Sequence, residues 1–307
     1  MNDRGPHLKK RFYTRLMDID RHNNIYIPGF NIITRSILRN KAESEFADIA
    51  EKALSDRSDI QTWTDQHRFF FGYGVFRSGT TFLADFLNRN AAHTIVQHEP
   101  NVNDYWFYAK AIHSKDEAMR YVNDYRLAET YYRMKDAEMK VYGEINPFLR
   151  RHCEALKGAF PTAKHFQVVR DPKDVIRSLM SRELFGRKDP MAAVIFPPEN
   201  DPCRETWPTM TRFEKLCWLW AADNRFIRSH AGHLVHFEKM LSSFDHFDEN
   251  VLTFLGLEVN ADAWKAEVGK AFNSTPRHKF PKYSHWTPAE KQQFERICGE
   301  EMQHYRY

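Results

Sequence analysis

RFFFGYGVFRSGTTFLADFLNRN, residues 68–90, combines a short aromatic run, a glycine-containing loop and apolar residues at helical spacing. From Gly74 the letters G-V-F-R-S-G-T-T match the phosphate-binding motif G-x-x-x-x-G-K-[ST] at every fixed position but one, because Thr80 stands where the motif has lysine. The aromatic run predicts a buried strand over 68–76, and the apolar spacing predicts a helix over 80–90. A strand, a loop and a helix in this order are the context that a phosphate-binding loop requires.

The loop is expected to hold a tetrahedral oxyanion, but not the phosphates of ATP. Backbone N–H groups at a helix N-terminus attract anions, and threonine hydroxyls add further donors. Without the lysine, no ammonium reaches the β- and γ-phosphates, and Arg77 offers a planar guanidinium at the rim of the loop instead. The predicted anion-binding residues are Arg77, Ser78, Gly79, Thr80, Thr81 and Phe82.

Short apolar runs alternate with helical patterns along the remaining chain. This alternation predicts an α/β fold in which helices cover both faces of a central parallel sheet, a three-layer αβα architecture. Ligands of such sheets bind at the carboxyl ends of the strands. Four polar clusters fall at predicted strand ends: 77–81, 98–99, 144–146 and 170–171.

A second motif is VVRDPKDVIRSL, residues 168–179. Arg170 ends a predicted strand, and Ser178 follows about two turns into the next helix. A strand that folds back into a helix can bring both side chains to one anion. Alone, the motif is ambiguous, because Arg-Asp-Pro is also a common helix entry.

FRSGTTFL, followed about ninety residues later by VVRDPKDVIRSL, resembles the sulfotransferase family that uses 3′-phosphoadenosine 5′-phosphosulfate (PAPS). The segment 233–259 is also similar to that family, and the resemblance covers roughly residues 68–307. It implies a P-loop-NTPase-like sulfotransferase fold and transfer of a sulfuryl group to a hydroxyl or amine, with release of adenosine 3′,5′-bisphosphate (PAP). It further implies that the first loop grips the 5′-phosphosulfate, while Arg170 and Ser178 bind the 3′-phosphate.

The R-S-G-T-T form resembles the bacterial, carbohydrate and tyrosylprotein branches, which often carry a catalytic glutamate some twenty residues after the loop. That position is Glu99, the predicted general base, and His98 is the rival base. Side chains of adjacent residues in extended chain point to opposite sides, so only one is expected to face the cleft. Relatives often have a lysine where this chain has Ile145, and Arg277 or Lys279 is the expected source of the missing charge.

Composition limits the classes of partner and the cellular location that are expected for this chain. A net charge of +4 over 307 residues does not indicate nucleic-acid binding. The four cysteines fit neither a zinc pattern nor a disulfide framework, so free thiols and no metal site are expected. No secretory signal or membrane span is visible, so a cytoplasmic protein is expected; the basic, aromatic start leaves a peripheral membrane contact open.

The predicted organisation is an N-terminal helical cap or extension, 1–65, and a sulfotransferase domain, 66–307. The proline-rich segment 189–208 is predicted to be a surface lid without regular structure. The acceptor is left open among small molecules, lipids, carbohydrates and peptide tyrosine, as is the oligomeric state.

Two rival functions remain at this point. A phosphotransferase of the nucleotide-kinase type would need a lysine at position 80 and Mg²⁺ ligands, and the lysine is absent. A non-catalytic nucleotide-binding protein of the same fold would bind the donor without transfer to any acceptor.

Overall fold

The computed structural model describes residues 30–268, 270 and 280–307, and within them a five-stranded parallel sheet forms the centre of the molecule. The strand order is β2-β3-β1-β4-β5, and every adjacent pair runs parallel. The predicted α/β fold with a central parallel sheet covered by helices is therefore confirmed. The strands are β1 (Arg68–Tyr73), β2 (Thr94–Gln97), β3 (Val141–Ile145), β4 (Lys164–Val169) and β5 (His233–His236).

Helices precede, connect and follow the strands. The helices are α1 (Phe30–Ser55), α2 (Arg57–Gln66), α3 (Thr80–Asn90), α4 (Asp104–His113), α5 (Lys115–Arg120), α6 (Leu127–Met134), α7 (Cys153–Ala159), α8 (Pro172–Leu179), α9 (Arg212–Ala231), α10 (Phe237–Met240), α11 (Phe244–Phe247), α12 (Ala261–Glu267) and α13 (Pro288–Tyr305). Two π-helical turns (Tyr121–Arg126, Asp248–Thr253) and two 3₁₀ turns (Pro147–Arg151, Tyr283–His285) lie between them.

Strand β1 shows why the sheet is buried on both faces. Phe69, Phe71 and Tyr73 pack into one apolar core with helices α1 and α2, whereas Phe70 packs into a second core with α3. Alternating side chains of a strand point to opposite faces, so an unbroken aromatic run fits only a strand that is covered on both sides. The predicted strand over 68–76 is too long, because the chain leaves the sheet after Tyr73 and enters the loop.

The N-terminal segment and the proline-rich segment 189–208 follow the sequence-based predictions to different extents. The helices expected before residue 66 are present as α1 and α2, while residues 1–29 lie outside the described part of the chain; the division into two domains stays a prediction. The segment 189–208 contains no helix or strand, as predicted. It is nevertheless anchored, because Met191 and Ile195 are fully buried against α4 and α9.

None of the described helices is both long enough and apolar enough to cross a membrane.

Candidate functional site

The phosphate loop, residues 74–79, joins β1 to α3 at the carboxyl edge of the sheet. Gly79 has a φ of 93°, and a Cβ there would lie 2.1 Å from Cδ2 of Phe237, so only glycine fits. Ser78 is fully buried, and its Oγ has no hydrogen-bond partner among the described residues. Buried polar atoms are normally paired, so an unpaired hydroxyl in such a loop fits a site built for an absent polar ligand.

The two threonines and the phenylalanine at the start of α3 take different roles. Thr80 is buried, and its methyl group faces Gly74. Thr81 is half-buried, and its hydroxyl lies 2.9 Å from Nε2 of His98. Phe82 packs in the core beside Phe86, so it can offer an anion only its backbone N–H.

The structure brings the two sequence motifs together. Nε of Arg77 donates to Oγ of Ser178 at 2.9 Å, although the residues are 101 positions apart. Nη1 of Arg170 donates to the carbonyl oxygen of Arg77 at 3.1 Å, while its buried Nε has no partner in the described part of the chain. The ring of Phe237 lies 4.8 Å from the Arg170 guanidinium carbon. The register β1–β4 sets this contact, because it places the ends of both strands side by side.

Positive charge accumulates at this edge. Burial, together with weaker repulsion from Arg182 and Arg170, lowers the pKa of Arg77 to about 10, whereas Glu99 acts in the opposite direction. The sequence analysis missed Arg182. The available signal was its position four residues after Ser178, where a helix or a tight turn returns a side chain to the same face.

The region after β2 brings His98 and Glu99 to the same side of the loop. Nδ1 of His98 lies 2.6 Å from the carbonyl oxygen of Ile145, and its Nε2 lies 3.7 Å from Oε1 of Glu99. The expectation that these side chains point apart is wrong. Glu99 has a φ of 46°, so the chain is not extended there and the alternation of strand side chains does not apply.

The hydrogen bonds of His98 fix its neutral tautomer. A carbonyl oxygen only accepts, so Nδ1 carries the proton and Nε2 accepts from the Thr81 hydroxyl. The His98 side chain is 14% exposed and that of Glu99 39% exposed. Glu99 therefore offers the more accessible proton acceptor, while His98 is held between the end of β3 and the start of α3.

Glu144 near the end of β3 and Asn146 directly after it are both fully buried and do not reach the surface of the site. Glu144 is fully buried and accepts from Arg126, from the Tyr142 hydroxyl at 3.1 Å and from Nδ2 of Asn146 at 2.8 Å. Asn146 accepts from the Phe148 N–H at 2.9 Å and so caps the 3₁₀ turn. Ile145 contributes only its carbonyl oxygen, and Arg277 and Lys279, the expected substitutes for a lysine there, lie outside the described residues.

Comparison with known proteins identifies the family of this chain. The model of the sulfotransferase family matches residues 70–261, and the chain belongs to that family. The crystal structure of sulfotransferase STF9 from Mycobacterium avium is similar at a TM-score of 0.52 and 14% identity, over 92% of this chain and 87% of that chain. The structure of mouse sulfotransferase SULT7A1 complexed with PAP is similar at a TM-score of 0.41 and 14% identity, over 79% of this chain and 87% of that chain. No curated protein matches the sequence.

Proposed function

We propose that this sulfotransferase moves a sulfuryl group from PAPS to a hydroxyl or amine of an acceptor and releases PAP. The observation that carries the proposal is the contact between Arg77 and Ser178, because it joins the phosphate loop and the second motif at one edge of the sheet. PAPS carries its activated sulfuryl group at the end of the 5′-phosphosulfate and a separate phosphate on the 3′ oxygen of the ribose. The two motifs offer a separate set of donors for each of these anionic groups.

The residues present fit such a ligand. Ser78 Oγ and Arg170 Nε are buried donors without partners in the described part of the chain, and burying such groups is costly unless a ligand pairs with them. We assign the phosphosulfate end to Arg77 and to the backbone N–H groups of the loop and of Thr81. We assign the 3′-phosphate to Arg170 and Ser178.

For sulfuryl transfer, the protein mainly has to position the donor and the acceptor and to stabilise the charge that develops, as in phosphoryl transfer. Arg77, repelled by two neighbouring arginines, gains attraction when negative charge enters the loop. It is therefore placed to stabilise the charge that develops on the leaving phosphate oxygen.

Glu99 is the proposed general base. Its carboxylate is the accessible one of the pair, whereas the lone pair of His98 Nε2 already accepts from Thr81. We assign His98 a positioning role, because it connects the Ile145 carbonyl oxygen to the Thr81 hydroxyl. The acceptor belongs to the small-molecule, lipid or carbohydrate class.

The donor assignment is tested by calorimetric titration of PAP, and separately of ATP with Mg²⁺, into wild type, Arg170→Ala and Arg225→Ala. Arg225 is an exposed arginine paired with Glu300 and Glu301, so it is the matched control. PAP should bind wild type and the control alike and bind Arg170→Ala about 10–100-fold more weakly, which corresponds to a lost charged hydrogen bond. A preference for ATP, or equal PAP affinity in all three proteins, would overturn the assignment.

The base is tested by transfer of labelled sulfate from PAPS to a panel of hydroxylated and amino acceptors. Glu99→Gln should lower kcat by about 10²–10⁴-fold, because it removes proton abstraction in the transition state. PAP affinity should stay within twofold, since Glu99 does not belong to the donor contacts. Wild-type turnover in Glu99→Gln, with loss in His98→Asn instead, would move the role of base to His98.

A further inference from the structure

A second excess of positive charge lies away from the phosphate loop, around Asp223 of α9. Arg150 and Arg151 both donate to this one carboxylate, Arg151 from Nε to Oδ1 at 2.6 Å. The Tyr108 hydroxyl donates to Oδ2 at 2.8 Å. Asp223, Arg150 and Tyr108 are fully buried, so two guanidinium groups share one buried negative charge and leave a net charge of +1. Such an excess is costly unless an anion completes the balance.

A pocket of about 330 Å³ opens onto this cluster. It lies between the ends of α4 and α5, the start of α7, helix α9 and the proline-rich segment. Its walls are largely apolar. The apolar residues that line it include Ala111, Ile112, Met119, Ala155, Pro198 and Phe226. None of the predicted donor-site residues lines it.

Arg151 is the charged group at the floor of this pocket. It is 8% exposed, lines the pocket, and has its guanidinium carbon 4.9 Å from the centre of the Phe226 ring. Within the residues that the structure describes, neither Nη atom of Arg151 has a hydrogen-bond partner, because its single bond uses Nε. Lys115 and Glu154 at the rim pair with each other at 2.6 Å, so their charges cancel.

We propose that this pocket binds a small organic monoanion, with a carboxylate or another singly charged oxyanion on an apolar body. One negative charge balances the Asp223 cluster, and the free edge of a guanidinium binds two oxygen atoms in a plane. The apolar walls exclude water around the body of the ligand, and the volume lies at the small end of ligand pockets. This site is separate from sulfuryl transfer and does not rest on it.

The test is calorimetric titration of sodium octanoate into the full chain, with 1-octanol as the neutral ligand of the same body. Octanoate should bind wild type and lose at least tenfold in affinity in Arg151→Gln, while octanol should not distinguish the two proteins. Arg151→Gln leaves Asp223 paired with Arg150 and Tyr108, so the buried cluster becomes neutral and the fold is expected to persist. Lys115→Gln is the matched control and should change octanoate affinity by less than threefold.

A second variant keeps the test decisive if Arg151→Gln does not fold. Ala111 is half-buried at the pocket wall, and Ala111→Trp should fill the cavity and abolish octanoate binding while PAP still binds. Equal octanoate affinity in wild type and Ala111→Trp would overturn the proposal. So would displacement of octanoate by PAP, which would place the fatty acid in the donor cleft.

Discussion

Arg126 and Arg77 both lie at the carboxyl edge of the sheet, yet their surroundings are opposite. Arg126 is fully buried and donates to Asp104 at 3.3 Å, to Glu129 at 3.1 Å and to Glu144. Its pKa is raised well above the usual value, since these carboxylates outweigh the cost of burial. Arg77 is half-buried, donates to the hydroxyl of Ser178, and has its pKa lowered by burial and by other arginines.

The difference separates an arginine that the protein surrounds with carboxylates from one that lies beside other arginines. In the acidic cluster, defined as Asp104, Arg126, Glu129 and Glu144, three carboxylates surround one guanidinium and fix the end of β3. In the basic cluster, Arg77, Arg170 and Arg182, mutual repulsion acts on Arg77 more strongly than the attraction of Glu99 does. Charge at a strand end therefore points to function where like charges lie together, as they do around Arg77.

The largest effect should come from the basic cluster. Arg77→Ala should lower kcat/KM by about 10²–10³-fold, the usual loss for one transition-state donor. Its free energy of unfolding should change little, because the substitution also removes a buried charge that its neighbours repel. Sulfate-transfer kinetics and urea unfolding measure the two effects, with Arg225→Ala as the control. A large loss of stability with activity preserved would erase the contrast between the clusters.

Arg126→Met should show the reverse pattern. It leaves Asp104 and Glu144 buried without their cation, which typically costs about 3–5 kcal/mol of stability. Urea denaturation measures the loss. Arg133→Met is the matched control: Arg133 contacts Glu129 but is 25% exposed, so its loss should be smaller. Equal losses in both variants would contradict the central role of Arg126.

Arg182→Gln should weaken PAP binding by about tenfold, which corresponds to 1.4 kcal/mol. The effect should shrink as salt is raised, because Arg182 acts through its charge at a partly exposed position. Calorimetry at two ionic strengths measures both quantities. A loss that does not depend on salt would indicate a direct structural contact in place of a field effect.

The smallest effect concerns pH and the acidic cluster. Burial, together with repulsion from Glu144, raises the pKa of Asp104 to about 7 against the attraction of Arg126. The folded state thus holds a proton that the unfolded chain releases near pH 4, so this group costs stability as pH rises from about 4 to 7. Asp104→Asn removes that cost, and its Tm relative to wild type should improve by a few degrees between pH 5 and pH 8. The exposed Asp124→Asn should show no such trend.

Much of the fold follows from local patterns. Helix α3 begins at Thr80 and ends at Asn90, as the apolar spacing predicts, and Thr287 and Pro288 begin α13 with a capping box to Glu290. These signals are local, because helix periodicity and caps depend on residues within one or two turns. The end of β1 was misjudged since aromatic residues continue past Tyr73 into the loop, and their composition does not show where pairing stops.

The site was less predictable because its contacts are long-range. The sequence predicted that Arg170 and Ser178 meet at one anion, but only the strand order brings Arg77 to them. Nothing in the sequence near Glu144 indicates that Arg126 pairs with it and with Asp104 in one buried network. The geometry at Glu99 was missed because a left-handed residue before proline is uncommon.

Arg77 and Glu99 share a backbone feature, φ values of 71° and 46°, in the left-handed region that side-chain-bearing residues adopt at a cost. Glycine at either position would relieve that cost and remove the functional side chain in the same step. Directed evolution that selects for heat resistance alone would therefore favour Arg77→Gly and Glu99→Gly. These substitutions would raise the stability of the fold and remove the transfer activity. Selection on this scaffold needs transfer activity as a simultaneous criterion.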